Sequence, residues 1–262
     1  MRKWSIIFCA TALGFLAHAQ TSPISTSASA SATVGAAPLD LPESTSTTTP
    51  DNTRYQKMPN LLTACEARLN AMAGKPCDII FIGDSITDNW HNAGKDIWDK
   101  YYAPRNALNF GINGDKTQNV LWRLNNMDVQ NLKPKVAVVL IGTNNFDNTP
   151  HEIADGIKAV LQNIQANFAG VKIILVSILP NDRAQDKMMQ VNSIIRSYAD
   201  DSTIYYLNLV PLMPEVTTPA ANGLTFTNWK GLSKDQLHPD AGGYQIWADA
   251  MEPLLTKLLA GQ

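Results

Sequence analysis

The chain has 262 residues, 45% hydrophobic and 17% charged, and its 21 Lys and Arg against 23 Asp and Glu leave a formal net charge of −2. That balance, with no basic run and no interleaving of basic with aromatic residues, excludes nucleic acid as a partner. The length is ample for one core, and nothing in the composition excludes a homodimer.

The chain opens with "MRKWSIIFCATALGFLAHAQ": a basic start (Arg2, Lys3), an apolar middle and Ala17-His18-Ala19. That layout predicts a signal peptide over residues 1–19, hence a secreted or periplasmic protein. The apolar stretch from Trp4 to Leu16 falls short of the about 20 residues a bilayer span needs, so no stable membrane insertion is expected after cleavage. Cys9 lies within the apolar region and lacks the small residues that precede a lipidated cysteine. Residues 20–54 are rich in Ser, Thr, Ala and Pro. Such a composition cannot bury enough apolar surface to offset its chain entropy, and it predicts a disordered linker. The folded domain is then expected over residues 55–262.

A helix is predicted near 59–73. It carries Cys65, and Cys77 follows just before the first strand. In an oxidising compartment a local disulfide between them is the expected state, with two buried thiols as the alternative. "CDIIFIGDS" reads as a buried strand, and "ALNFGING" (Ala107 to Gly114) as a second. A helix near 116–127 precedes "KVAVVLIGTNN" (Lys135 to Asn145), the third strand. Thr149-Pro150-His151-Glu152 forms a capping box with proline at the first helical position, opening a helix that runs to Phe168. "VKIILVSILP" (Val171 to Pro180) is a fourth strand and "TIYYLNLV" (Thr203 to Val210) a fifth, with helices near 185–199 and 242–259. Near-continuous apolar strands alternating with helices predict a three-layer α/β fold around a parallel sheet.

Three polar clusters follow directly on strands: Gly83-Asp84-Ser85, Gly111 to Asp115, and Gly142-Thr143-Asn144-Asn145. In a parallel sheet all three fall on the edge where ligands bind. A serine hydroxyl needs an adjacent base to attack, and histidine is the usual base near neutral pH. Beyond the leader the chain holds His91, beside the serine turn, His151, in the capping box, and His238, in "KDQLHPDAGGY". Asp235 lies three residues before His238, close enough in a tight turn to orient its imidazole. Asp240 is the other available acid, or a cap for the last helix. The backbone N–H of Ser85, a Gly114 N–H and the Asn144 amide are the available donors to a developing oxyanion, and each has an ordinary turn role as its alternative.

"GDSIT", "NFGING", "GTNN" and "DQLHP" together resemble the four ordered blocks of the SGNH (GDSL) hydrolases. The stretch from Ala107 to Ile157 resembles most the branch formed by the catalytic subunits of platelet-activating factor acetylhydrolase type Ib. The resemblance runs from about Cys77 to Leu258. It implies a flavodoxin-like fold with five parallel strands, no metal and no other cofactor. It implies Ser85 as nucleophile and first oxyanion donor, Gly114 and Asn144 as further donors, His238 as base and Asp235 as its orienting acid. Asn145 stands where the broad family often has Asp, a feature the acetylhydrolase branch shares. The expected activity is a serine esterase acting on short acyl esters, acetyl above all, through an acyl-enzyme.

Export points to O-acetylated carbohydrate as substrate. The alternatives are a lipid-directed acetylhydrolase or lysophospholipase, and a catalytically silent carbohydrate-binding domain. Loops 90–100 and 214–232, with Trp90, Trp98 and Trp229, are the segments expected to read the alcohol half, unless those rings serve packing. No G-x-S-x-G, G-x-G-x-x-G or phosphate-loop pattern is present, which removes the α/β-hydrolase elbow and nucleotide binding.

Overall fold

Five strands form the main sheet: β1 (Ile79–Gly83), β2 (Ala107–Gly111), β3 (Val136–Leu140), β4 (Lys172–Val176) and β5 (Ile204–Leu207), in the order β2-β1-β3-β4-β5. Every pairing in it is parallel. This computed structural model describes residues 43–219 and 225–261, all within one compact unit. Five longer helices accompany the sheet: α1 (Asn60–Ala71), α2 (Thr117–Asn126), α3 (Pro150–Asn167), α4 (Gln185–Ile195) and α5 (Ala241–Leu259).

The strands read as unbroken apolar runs because alternate residues face two separate cores. Ile80, Ile82, Leu108, Phe110, Val139 and Leu175 face one side, where α1 to α4 lay Leu69, Val120, Ile157 and Val191 against them. Ile79, Phe81, Val138, Leu140 and Val176 face the other, covered by α5 through Tyr244, Trp247, Met251 and Leu255. The rest of that second face is closed by the short helical turns between Ser85 and Arg105. Trp90 and Trp98 belong to this packing. The Trp90 ring lies 4.5 Å from Tyr244 and 5.1 Å from Trp247, centroid to centroid, and is wholly buried. Of the two roles open to Trp90 and Trp98, ligand contact or packing, the structure shows packing: they fill the second core.

The capping box forms as read. The Thr149 N–H donates to Glu152 Oε2 at 2.8 Å, and the Glu152 N–H donates to Thr149 Oγ1 at 3.3 Å.

Two other expectations are revised. Residues 1–42, with the whole of the signal-peptide reading and most of the linker, lie outside the described residues. The last part of that linker, from Glu43 to Arg54, packs on the domain. Thr47 Oγ1 donates to the Glu152 carbonyl at 2.6 Å, and the Thr47 carbonyl accepts from Thr117 Oγ1 at 2.8 Å. Gln118 and Asn119 donate their amides to the carbonyls of Ser44 and Asp51 at 2.8 and 3.0 Å. This stretch builds no core, which is why composition misjudged it. It is held by polar side chains at the start of α2.

The second revision concerns the cysteines. Cys65 and Cys77 are free and buried. Cys65 Sγ lies 4.0 Å from Arg123 Nη1, whereas Cys77 Sγ turns to the Ile79 carbonyl at 3.5 Å. Burial raises both thiols, Cys77 to about 12, with the Asp78 carboxylate adding to the effect. Because the thiolate is the reactive form, both cysteines are expected to resist iodoacetamide in native protein lacking residues 1–19 and to react once it is unfolded in urea. Peptide mapping that finds Cys65 joined to Cys77 would contradict this.

Candidate active site

β1 ends at Gly83, where a side chain has no room. A Cβ there would stand 2.2 Å from the Leu140 carbonyl and 2.2 Å from Thr87 Oγ1. The chain turns at once into the helical turn Ser85–Asp88, capped by Asp84, whose Oδ1 accepts from the Ile86 N–H at 2.9 Å. Tyr244 of α5 secures the turn by donating to the Ile86 carbonyl at 2.7 Å, and Asn109 of β2 donates to the Thr87 carbonyl at 2.9 Å. Ser85 thus heads a rigid turn at the carboxyl end of the sheet. The first N–H groups of a helical turn have no partner inside it, so the Ser85 N–H is not taken up by the turn's own hydrogen bonds.

His238 comes from the loop before α5. Its Nε2 lies 2.8 Å from Ser85 Oγ, and its Nδ1 lies 2.6 Å from Asp235 Oδ2. The two oxygens of Asp235 divide the work. Oδ1 accepts from Ser233 Oγ at 2.7 Å and from the N–H groups of Leu237 and His238 at 3.0 Å, which leaves Oδ2 for the imidazole. Partial burial opposes charge on Asp235, but these donors together outweigh it and hold the carboxyl well below the usual range. An ionised Asp235 keeps the proton on Nδ1 and leaves the Nε2 lone pair facing Ser85.

The loop turns through Gln236, a non-glycine residue at φ +51°. Gln236 sustains that conformation with both ends of its amide: Oε1 accepts from the Trp229 N–H at 2.8 Å, and Nε2 donates to the Ser233 carbonyl at 2.8 Å. Trp229 ends an antiparallel pair of strands, β6 (Glu215–Pro219) and β7 (Thr225–Trp229), in a segment expected to be loop. Trp229 is half-buried, and its Nε1 donates to Asp182 Oδ1 at 3.2 Å.

The other two histidines are elsewhere. His91 packs edge-on against Trp98 at 5.0 Å, and burial lowers its basicity. His151 is exposed at the start of α3. Asp240 serves as the cap of α5, with Oδ1 accepting from the Gly243 N–H at 2.9 Å, and so is not the partner of His238.

Gly114 adopts φ +77°, a left-handed turn that presents its backbone without a side chain. The Arg54 guanidinium occupies the space a Cβ would need, with Nη2 2.3 Å from that position, and Nη2 donates to the Asn113 carbonyl at 2.9 Å. Asn144 Nδ2 donates to the Asp115 carbonyl at 3.0 Å and lies 3.4 Å from Asp84 Oδ2. Asn145, next to it, is wholly buried and ties this loop to α2, accepting from the Thr117 N–H at 3.0 Å.

Beneath these loops lies a buried ion pair that sequence reading missed. Arg123 and Asp115 are both 0% exposed and meet at 2.8 Å. Burial pushes the Asp115 carboxyl up, and Arg123 and the Tyr55 hydroxyl, donating at 2.7 Å, pull it back. A guanidinium does not give up its proton, so the pair is ionic at neutral pH. A signal for it lay in the helix: Arg123 falls between the buried Val120 and Leu124 of α2, where an unpaired charge would not be tolerated.

Cavity size does not mark this site. A cleft of about 440 Å³ is lined by Leu69, Lys75, Asp128 and Leu132 among others, at the amino edge of the sheet. None of its lining residues offers a hydroxyl, thiol or imidazole. Among the described residues, no helix is long and apolar enough to cross a membrane.

The comparisons with known proteins agree on one kinship. Residues 81–246 match the family model described as the GDSL-like lipase/acylhydrolase family. The chain is 35% identical over 190 residues to platelet-activating factor acetylhydrolase IB subunit alpha2 of Homo sapiens, covering 71% of this chain and 79% of that one. It is 32% identical over 191 residues to the human alpha1 subunit, covering 71% and 78%. A solved carbohydrate esterase family 3 protein from Talaromyces cellulolyticus shares the fold with a TM-score of 0.51 at 20% identity, over 71% of this chain and 99% of that one.

Burial pushes the Asp84 carboxyl up to about 7, the charge of Asp115 adds to this, and the Ile86 N–H opposes it. A carboxyl raised on folding holds its proton where the unfolded chain has lost it. Its contribution is therefore intact below about pH 4 and is lost as pH rises toward 7, by up to about 1.4 kcal/mol for each pH step of one. Asp84→Asn keeps the capping oxygen and removes the titration. Urea unfolding of wild type is expected to lose more stability between pH 4.5 and 7.5 than unfolding of Asp84→Asn; parallel profiles would count against it.

Proposed function

The chain belongs to the GDSL-like lipase/acylhydrolase family and is a carboxylic ester hydrolase, and from that premise we propose that Ser85, His238 and Asp235 are its catalytic triad. The observation that carries the reading is the unbroken hydrogen-bond chain from Ser85 Oγ to His238 at 2.8 Å and on to Asp235 at 2.6 Å. His238 Nε2 takes the Ser85 proton as Oγ attacks the ester carbonyl carbon. The negative charge collects on the former carbonyl oxygen, where the N–H groups of Ser85 and Gly114 and the Asn144 amide receive it. The tetrahedral adduct collapses to an acyl-Ser85, and the imidazolium passes its proton to the departing alkoxide. Water then enters, His238 removes a proton from it, and a second adduct releases the carboxylic acid and restores Ser85. Asp235 keeps the imidazole in the correct tautomer and balances its transient charge. No metal or organic cofactor enters these steps.

The acyl group is short, with acetyl foremost. The names of these relatives, both acetylhydrolases, support this, as does the Arg54 guanidinium packed over Gly114. The alcohol half is an O-acetylated carbohydrate acted on outside the cytoplasm. The signal-peptide pattern over residues 1–19 supports this, and so does the half-buried Trp229 beside the His238 loop. A lipid alcohol is the second reading, favoured by the platelet-activating factor in the relatives' names. The two are separated by comparing an acetylated polysaccharide with an acetylated ether phospholipid as substrates.

Two outcomes are expected. Ser85→Ala or His238→Ala should lower kcat by several orders of magnitude in folded protein, and the double variant should be hardly worse, because triad members act as a unit. Near-normal esterase activity in folded Ser85→Ala would end the mechanism. On a common activated leaving group, kcat/KM should fall from acetyl through butyryl to octanoyl. A roomy apolar pocket would instead gain about 0.8 kcal/mol per buried methylene, and a rise with chain length would favour the lipid reading.

A further inference from the structure

Arg183 follows β4 and belongs to none of the motif blocks. It is exposed, yet it is held at three points. The buried Asn181 accepts through Oδ1 from the N–H groups of Arg183 and Ala184 at 3.1 and 3.0 Å, which sets the backbone. The guanidinium lies over the Phe146 ring, 5.0 Å from its centroid, and Nη1 donates to Asn144 Oδ1 at 3.1 Å. Phe146 and Asn144 stand in one loop after β3. Ordering a long exposed side chain costs rotamer freedom, and here that ordering converges on a single carboxamide.

A guanidinium can only donate, so the Asn144 atom facing it is the oxygen. The Asp115 carbonyl can only accept, so the atom facing it is Nδ2, at 3.0 Å. The two contacts hold the plane of the amide from opposite ends. One N–H of Nδ2 is thereby committed to Asp115. The other meets only Asp84 Oδ2, at 3.4 Å, the long limit of a hydrogen bond. A cation on the amide oxygen also draws electron density from the C–N bond and makes the remaining N–H a stronger donor, as linked hydrogen bonds polarise one another.

We propose that Arg183 is a positioning residue of the oxyanion hole. By holding and polarising the Asn144 carboxamide, it readies the uncommitted N–H of Nδ2 for the charge that develops on the ester carbonyl oxygen during attack by Ser85. This rests on the reading of Asn144 as an oxyanion donor. The same segment also reaches the base. The Asp182 N–H donates to the Gln236 carbonyl at 3.2 Å, so residues 181–184 bridge the Asn144 loop and the His238 loop.

The test is a double-mutant cycle with p-nitrophenyl acetate as substrate, the fold of each variant being checked by circular dichroism. Arg183→Met is expected to lower kcat by about 5- to 30-fold with KM changed less than about twofold, the scale of one charge-assisted hydrogen bond. Asn144→Ala is expected to lower kcat by about 10²–10³. The double variant should match Asn144→Ala, since nothing is left to position. Arg183→Gln, which keeps a donor but not the charge, should fall between wild type and Arg183→Met. Losses that multiply in the double variant would overturn the proposal, and so would a rise in KM at unchanged kcat, which would make Arg183 a direct substrate contact. If Asn144→Ala costs its full factor and Arg183→Met costs nothing, the positioning role alone fails. If Asn144→Ala leaves kcat intact, the oxyanion reading fails and takes this role with it.

Discussion

The Arg123 guanidinium, buried between sheet and helices, is the point on which the site's loops depend. A charge taken out of water must be met on every side. Arg123 Nη1 donates to the Phe110 carbonyl at 2.6 Å, Nη2 to the Gly83 carbonyl at 3.2 Å, and Nε to Asp115 at 2.9 Å. Gly83 carries the chain into Ser85. Phe110 carries it into the Gly114 turn. The Asp115 carbonyl accepts from Asn144. One cation therefore sets the relative positions of the three loops that carry Ser85, Gly114 and Asn144. Tyr55 extends the same cluster to the segment that precedes α1, because its hydroxyl also ends on Asp115.

That arrangement has an electrostatic cost. Asp84 and Asp115 are buried carboxyls beside Asn144, and in the proposed mechanism a second negative charge there would oppose the reaction. The surroundings reduce it in three ways. Arg123 neutralises Asp115 from below, and burial favours the protonated form of Asp84. Arg54 and Arg183 stand over Gly114 and Asn144 and act favourably on Asp115 and Asp84 respectively. Asp235, by contrast, is a carboxylate kept charged by four donors, on the far side of the imidazole, where the proposed mechanism calls for a negative charge.

The parts legible in the sequence are those in which one residue type has one physical reason to be there. Five apolar runs became five strands because a doubly covered parallel sheet tolerates little else, and the helices fell within a few residues of their expected limits. The glycine of Gly83-Asp84-Ser85 is needed for close approach of Leu140 and Thr87, a constraint that leaves its mark in the motif. Other features left weaker marks. β6 is exposed along its whole length, so the hairpin shows no alternation of apolar and polar residues. The Glu43 to Arg54 segment is fixed by its backbone carbonyls, which carry no residue signature. Arg183 is an exposed arginine in a loop, and only its partners distinguish it. For Trp90 and Trp98 the sequence leaves ligand contact and packing both open, and only their buried neighbours decide for packing.

Ser85 follows the first strand of the sheet, and His238 precedes the last helix, 153 residues later. At ribosomal speeds of about 5–20 residues per second, on the order of 10–30 seconds of synthesis separate the two. Through that interval the growing polypeptide carries an alcohol with no base beside it. Asp235 and His238 arrive together, on one short loop whose far side is capped into α5. A chain interrupted before that loop would contain the complete parallel sheet with Ser85, Gly114 and Asn144 in place, and would still lack both Asp235 and His238.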